Sequence, residues 1–257
     1  MNTTSIHRSA AEGYAAQADL YVRGRPDYPD AVSGWLRDRL GLGAGKTAVD
    51  LGAGTGKFAA YLAATGAKVI AVEPVAEMRA KLAQKLPAVD VRKGTATSMP
   101  LPDGSVDALV CAQAFHWFAT RAALAEIHRV LKPGGHLGLI WNRRDTDIGW
   151  VAEMTHLVDA YEGDTPRFAK GTWREAFPFD GFTPPHEERF MHAHTGTPED
   201  VIVNRVRSTS FIAALPADEE AKVTERVRAL IARTPALAGK DTVTLPYVTF
   251  AYSARKQ

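Results

Sequence analysis

A glycine-rich turn between a buried strand and a helix constrains this chain more than any other feature. The run Val49-Asp50-Leu51-Gly52-Ala53-Gly54-Thr55-Gly56 follows a short apolar stretch. Glycine allows a sharp turn and lets a ligand approach the backbone amides closely. We therefore predict that a nucleotide-like ligand meets a strand–helix junction here; the competing interpretation is a tight turn that binds nothing.

Strands and helices alternate after this turn. The predicted strands cover residues 47–51, 68–72, 89–93, 106–112 and 136–141, and the predicted helices between them cover 57–65, 75–86 and 122–131. A turn at Lys132-Pro133-Gly134-Gly135 is expected to end the last of these helices. Five strands that alternate with helices indicate a doubly wound parallel sheet, which binds ligands beyond the carboxyl ends of its strands.

The second half of the chain follows a less regular pattern. Helices are predicted over residues 148–161, 199–207 and 218–232, and strands over 187–194 and 243–252. Scattered aromatic residues fill 166–178. We expect helices inserted over one edge of the sheet, with the two late strands returning to it.

An acidic residue follows the second predicted strand. Glu73 lies 21 residues after Gly52, where a carboxylate can accept hydrogen bonds from two ribose hydroxyls. Dinucleotide-binding proteins share this arrangement, but their glycines are spaced G-x-G-x-x-G. Here the spacing is G-x-G-x-G, and the preceding Asp50 offers a carboxylate to a cationic amino group.

Several further motifs follow in order. They are Val72-Glu73-Pro74, the run from Met99 to Asp107 with two prolines, Gln113-Ala114-Phe115-His116-Trp117-Phe118, and Val130-Leu131-Lys132-Pro133-Gly134-Gly135. Together with the glycine turn, they make residues 20–142 resemble the class I S-adenosylmethionine (SAM)-dependent methyltransferases. A resemblance to the small-molecule branch that includes trans-aconitate methyltransferase (methyltransferase type 11) rests on the run from Gln113 to Phe118 and on Arg25-Pro26-Asp27-Tyr28-Pro29.

This resemblance implies an α/β fold with a Rossmann-like, doubly wound, seven-stranded and mostly parallel sheet. It also implies an antiparallel C-terminal strand and a helical insertion over the site. We expect one domain over residues 1–257, with an N-terminal arm and helix (1–45), a SAM-binding core (46–142), a helical substrate cap with one strand (143–235) and a final strand (236–257). The cofactor would be SAM, with S-adenosylhomocysteine as product.

The resemblance also assigns cofactor-binding residues. They are Asp50, Gly52, Ala53, Gly54, Gly56, Glu73, Pro74, Thr95, Ala96, Gln113 and Ala114. Many members of the family carry Asp-Ala where this chain has Thr95-Ala96, and the Asp accepts a hydrogen bond from the adenine amino group. The hydroxyl of Thr95 or the backbone would have to replace that contact here.

Candidates for binding the methyl acceptor follow the fourth and fifth strands. His116 is a candidate general base or substrate ligand, with packing as the alternative, and Trp117 is a candidate pocket wall. Trp141 and Arg143 face the same rim, where an arginine is able to hold a carboxylate, with a solvated basic loop as the alternative. Tyr14 and Tyr21, in the N-terminal arm, are candidates to close the site, and each has packing as its alternative.

Composition narrows the range of functions. The 31 basic and 29 acidic residues leave a net charge of +2 without a basic cluster, so nucleic acid is not the expected partner. The single cysteine, Cys111, allows neither an intrachain disulfide nor a cysteine-based zinc site. No run of about 20 apolar residues predicts a membrane span, and we expect a cytoplasmic monomer or homodimer without a metal.

Three rival functions remain. A nucleic-acid methyltransferase that modifies amino groups would carry Asn/Asp-Pro-Pro-Tyr/Phe where this chain has Gln113-Ala114-Phe115-His116. A dehydrogenase is disfavoured by the glycine spacing. A non-catalytic SAM-binding module would share every cofactor motif. The prediction is a SAM-dependent enzyme that methylates oxygen, or nitrogen of a heterocycle, in a small molecule.

Overall fold

The computed structural model describes residues 25–257, and Tyr14 and Tyr21 lie outside them. The strands are β1 (Thr47–Leu51), β2 (Lys68–Val72), β3 (Asp90–Arg92), β4 (Val106–Ala112), β5 (Leu131–Arg144), β6 (His186–Gly196) and β7 (Val243–Arg255). The helices are α1 (Ala31–Asp38), α2 (Lys57–Ala64), α3 (Ala76–Lys85), α4 (Arg121–Val130), α5 (Gly149–Asp159), α6 (Asn204–Arg207), α7 (Ser210–Ala213) and α8 (Ala217–Arg233). Short 3₁₀ turns occupy Phe115–Trp117, Phe168–Lys170 and Thr172–Ala176, and a π turn occupies Glu199–Val203.

The sheet has the strand order β3-β2-β1-β4-β5-β7-β6. Strands β1 to β5 pair in parallel. The amide of Asp145 donates to the carbonyl of Pro246, whereas the amide of Lys256 donates to that of Gly135. Later residues of β5 therefore pair with earlier residues of β7, so the two strands are antiparallel. The order reverses between β1 and β4, so the carboxyl ends of these strands form the edge where ligands bind.

The segment 132–135 differs from its sequence-based prediction. It does not form a turn outside the sheet but belongs to β5, which begins at Leu131, five residues before the predicted start. Two residues of β4, Val106 and Ala108, align with Leu131 and His136, so the intervening residues form a bulge. Gly134 has φ 74°, which fits a bulge, and Pro133 has no amide hydrogen to donate to a neighbouring strand.

The chain divides into two compact units. The first contains residues 29–141, 166–190 and 249–257; the second contains 142–165, 191–248 and the described residues 25–28. The core of the first unit combines the inner strands with α4, which buries Leu124, Ile127 and Val130. The core of the second unit combines α5 with α8, which buries Val223, Val227 and Leu230.

Candidate active site

The glycine turn adopts the backbone conformation that its sequence predicts. Gly52, Gly54 and Gly56 have φ angles of 73°, 55° and 83°, in the left-handed region that favours glycine. The amide of Gly52 donates to the carbonyl of Val72 at 2.8 Å, which joins the turn to the end of β2. A Cβ atom on Gly52 would lie 2.8 Å from the Cβ of Ala114. Glycine is therefore required here both by conformation and by the close approach of the β4 end.

Glu73 is held at the end of β2 by two backbone amides. Its Oε2 accepts from the amide of Gly54 and its Oε1 from the amide of Val75, both at 2.9 Å. The side chain of Arg79 donates to the carbonyls of Glu73 and Pro74. The residue is 5% exposed, and burial raises the pKa of its carboxyl group despite the two amides. Each oxygen keeps a further lone pair for a ligand hydroxyl.

Asp50 is a buried carboxylate without an ordinary hydrogen bond. It is 1% exposed, and neither oxygen has a hydrogen-bond partner within residues 25–257. Burial raises its pKa to about 7, the negative charge of Glu73 adds to the rise, and the backbone of Ala59 offsets it in part. A buried polar group without a partner is costly. Its position at the end of β1 therefore suits a ligand that brings a positive charge and hydrogen-bond donors.

The residue after β4 has an unusual backbone conformation. Gln113 has φ 57° and is the one non-glycine residue with positive φ in the described part of the chain. Its amide donates to the carbonyl of Ile140 at 2.8 Å, which holds the strained residue against β5. Such conformations cluster at functional sites because the surrounding structure must maintain them. The buried Ala114 thus lies beside Gly52 of the glycine turn, directly after Gln113.

His116 makes a specific contact with a neighbouring strand. It lies in the 3₁₀ turn Phe115–Trp117, and its Nδ1 accepts a hydrogen bond from the indole Nε1–H of Trp141 at 3.0 Å. Trp141 is 1% exposed, so the structure places it in the core, where it holds His116. The rings of His116 and Trp117 are 5.1 Å apart, and both residues are partly exposed.

Thr95 and Ala96 form a tight turn after β3. Thr95 and Ser98 exchange backbone hydrogen bonds at 3.1 and 3.2 Å. The hydroxyl of Thr95 lies 3.4 Å from that of Thr97, while Ala96 is buried. Thr95 can accept or donate through its hydroxyl, so the side chain is chemically able to replace the missing Asp.

Known proteins share both the sequence and the fold. Residues 49–139 match the family model described as a methyltransferase domain. An uncharacterised methyltransferase-like protein of Schizosaccharomyces pombe is 38% identical over 238 residues, which cover 92% of this chain and 93% of that protein.

The chain belongs to the methyltransferase family.

Solved structures of other proteins share the fold of this chain. The YcgJ protein from Bacillus subtilis has a TM-score of 0.58 at 20% identity, with 88% of this chain and 97% of that chain covered. A phosphoethanolamine N-methyltransferase from Haemonchus contortus, solved with S-adenosylhomocysteine, has a TM-score of 0.57 at 15% identity. It covers 98% of this chain and 60% of that chain. At these identities the likeness concerns the fold, and it confirms the predicted Rossmann-like, mostly parallel sheet; β7 is the predicted antiparallel C-terminal strand.

The residues of this methyltransferase fit SAM as cofactor. The unpartnered carboxylate of Asp50 complements the cationic methionine moiety, and Glu73 has lone pairs for the ribose hydroxyls. Gly52 has no side chain, so a ligand can approach the backbone of the turn closely. When bound, the cofactor would supply an activated methyl group on a sulfonium, and the protein would have to position and desolvate the acceptor.

The residues predicted to bind the methyl acceptor do not all belong to the same compact unit. His116 and Trp117 lie after β4 in the first unit, whereas Arg143 is the last but one residue of β5, in the second unit. The sequence reasoning missed an aromatic cluster, which is defined by Phe115, Trp141, Phe168, Trp173, Phe177 and Tyr252. The many aromatic residues in 166–178 could have indicated this cluster. Within residues 25–257, no helix has the length and apolar character to cross a membrane, and no three ligating side chains form a metal site.

Proposed function

We propose that this protein transfers a methyl group from SAM to a small-molecule acceptor and releases S-adenosylhomocysteine. The observation that carries the proposal is the pair of buried carboxylates, Asp50 and Glu73, at the ends of β1 and β2. Asp50 has no hydrogen-bond partner within residues 25–257, which suits a cationic ligand, and Glu73 is oriented by the amides of Gly54 and Val75. The H. contortus enzyme solved with S-adenosylhomocysteine has the same fold, which supports SAM as the cofactor.

A small molecule is favoured over nucleic acid as the acceptor. The net charge of +2 offers little attraction to a polyanion. After β4 the chain also lacks Asn/Asp-Pro-Pro-Tyr/Phe, the motif of nucleic-acid methyltransferases that modify amino groups. Methylation of oxygen is the first expectation and of a heterocyclic nitrogen the second. In this reaction the chain's own residues orient the acceptor and exclude water, since the methyl group is already activated.

Calorimetry with SAM, S-adenosylhomocysteine and NAD tests the cofactor. We expect binding of the first two ligands and none of NAD. Binding of NAD without SAM would contradict the proposal. Glu73→Ala tests the site, because it removes two hydrogen-bond acceptors from the ribose position.

Turnover separates an enzyme from a non-catalytic SAM-binding module. Release of S-adenosylhomocysteine would be followed across a panel of small carboxylic acids, phenols, amines and heterocycles, with a short DNA duplex and an RNA hairpin as comparison substrates. We expect turnover with at least one small molecule. SAM binding without turnover on the whole panel would favour the binding module, and turnover on nucleic acid alone would favour the rival enzyme class.

A further inference from the structure

Arg79 extends from the first turn of α3 back to the end of β2. In an α-helix the Cα–Cβ bonds tilt toward the N-terminus, so a long side chain in the first turn can reach the residues that precede the helix. The Nη1 of Arg79 donates to the carbonyl of Glu73 at 2.9 Å and to that of Pro74 at 2.6 Å. The guanidinium thus holds the two residues that directly follow β2.

A cation in the first turn of a helix needs a compensating contact. The partial positive charge at the N-terminus of a helix repels it. Here the two carbonyl oxygens and the nearby carboxylate of Glu73 offset that repulsion: burial raises the pKa of Glu73, and the positive charge of Arg79 lowers it. The position of Arg79 is therefore explained by the residues at the end of β2 rather than by the helix that carries it.

The backbone that Arg79 holds also orients the carboxylate of Glu73. The amide of Val75, directly after Pro74, donates to Oε1 of Glu73, and the amide of Gly54 donates to Oε2. The ring of Pro74 fixes its own φ angle, and Arg79 binds the carbonyls before and after that ring. A rotation of this segment would move the amide of Val75 away from Oε1. Arg79 therefore acts on the carboxylate through the backbone.

We propose that Arg79 is a positioning residue, which fixes the ribose-binding carboxylate of Glu73 through the carbonyls of Glu73 and Pro74. This inference rests on the proposed methyltransferase function, because it takes the ribose of SAM as the ligand of Glu73. Arg79 would then determine how strongly the site prefers a ribose to a 2′-deoxyribose, since a carboxylate that is free to turn does not hold both hydroxyls at once.

Calorimetry with S-adenosylhomocysteine and its 2′-deoxyribose analogue tests this role. We expect the wild type to prefer the ribose compound roughly tenfold, because the analogue lacks one hydrogen bond to a charged acceptor. In Arg79→Met, which keeps a long side chain without the guanidinium, the preference should fall to about twofold. A ratio of two affinities within one variant does not depend on a general loss of stability. A preference as large as that of the wild type would overturn the proposal.

Two further variants complete the comparison. Lys81→Met is the matched control, because Lys81 is an exposed cation on the same helix, and it should keep the wild-type preference. Arg79→Lys keeps a cationic donor and should retain more of the preference than Arg79→Met. Equal losses in Arg79→Lys and Arg79→Met would contradict the role of the donor, and an equal loss in Lys81→Met would contradict a specific role for Arg79.

Carbon-13 NMR of glutamate-labelled protein tests the contact without a ligand. The Glu73 signal is assigned by its loss in Glu73→Gln. On the neighbouring strands, the carboxyl of Asp50 interacts with the charge of Glu73, and the guanidinium of Arg92 is bound by Asp90. The pKa of Glu73 should be higher in Arg79→Met than in the wild type, because the cation that lowers it is removed. An unchanged pKa would overturn the proposal.

The outcomes separate this role from the proposed function. If the wild type binds neither SAM nor S-adenosylhomocysteine, the proposed function fails and the ribose role of Arg79 fails with it, while NMR still decides whether Arg79 acts on Glu73. If the wild type prefers the ribose compound and Arg79→Met does so equally, the proposed function stands and the positioning role is wrong.

Discussion

At the scale of single residues, the buried carboxylate of Asp50 lowers the stability of the protein without ligand and offers a negative charge to the proposed cofactor. Its pKa in the folded protein, about 7, lies above the ordinary value of 3.8. A carboxyl group whose pKa is raised by folding contributes stability that is fully present below its pKa in the unfolded chain. This stability is lost as the pH rises through its pKa in the folded protein. At pH 8 the buried charge therefore destabilises the protein without ligand.

Asp50→Asn should accordingly make the protein without ligand more stable and weaken its binding of SAM. Removing the charge should raise the free energy of unfolding at pH 8 by about 2 kcal/mol, measured by urea denaturation. The same substitution should weaken SAM binding at least tenfold, measured by calorimetry. A variant that is less stable and binds SAM normally would contradict this assignment of Asp50.

The same carboxyl group predicts a pH window for SAM binding. Below pH 7, Asp50 becomes protonated and loses its attraction for a cation, so affinity should fall about tenfold per pH unit. Above about pH 8, the amino group of SAM loses its own proton. The affinity of the wild type should therefore peak between these values, and in Asp50→Asn the acid limb should disappear. An unchanged acid limb would place the titrating group elsewhere.

Substitution of Glu73 tests the predicted contact with the ribose of the cofactor. Glu73→Ala should weaken SAM binding about 100-fold, since two hydrogen bonds to a charged acceptor are lost and the amides of Gly54 and Val75 lose theirs. Glu77→Ala is the control, because it removes an acidic side chain that is exposed on the next helix. If both variants bind SAM equally well, the ribose is held by other residues.

At the scale of elements, the turn between β1 and α2 depends on glycine for two reasons that can be separated. Gly52→Ala forces a side chain into left-handed backbone and against Ala114, 2.8 Å away. Gly104 also has positive φ but has no neighbour within 4 Å, so Gly104→Ala measures the backbone strain alone, about 1 kcal/mol.

We expect Gly52→Ala to destabilise the protein more than Gly104→Ala and, unlike it, to weaken SAM binding. The double variant Gly52→Ala/Ala114→Gly removes the contact and should recover part of both losses, as calorimetry and urea denaturation would report. Equal effects of Gly52→Ala and Gly104→Ala would show that the contact with Ala114 is unimportant.

Elements formed by local sequence were the ones predicted well. β1, β2 and β4 begin and end at the predicted residues, because each is a short, mostly apolar run that is followed by a glycine or a polar residue. The bulge in β5 was missed, since Pro-Gly-Gly suggests a turn unless the pairing of Gly134 and Gly135 with the distant Lys256 is known. The partnership of His116 with Trp141 was missed for the same reason: it joins two strand ends that only the sheet order makes neighbours.

At the scale of the whole molecule, the chain divides into two compact units. The predicted cofactor residues, from Asp50 to Ala114, belong to the first unit. A ligand that binds only the folded protein stabilises it by mass action, so cofactor binding can be read from the thermal unfolding of the whole chain.

Ligand-dependent melting tests cofactor binding by the whole chain. Saturation with SAM or S-adenosylhomocysteine at 100 times Kd stabilises the folded state by about 2.7 kcal/mol, which for a chain of this size corresponds to a shift of roughly 5–10 °C. We expect calorimetry to show this shift with both ligands and no movement with NAD. A melting temperature that rises with NAD but not with SAM would contradict SAM as the cofactor, because only a ligand that binds the folded state stabilises it.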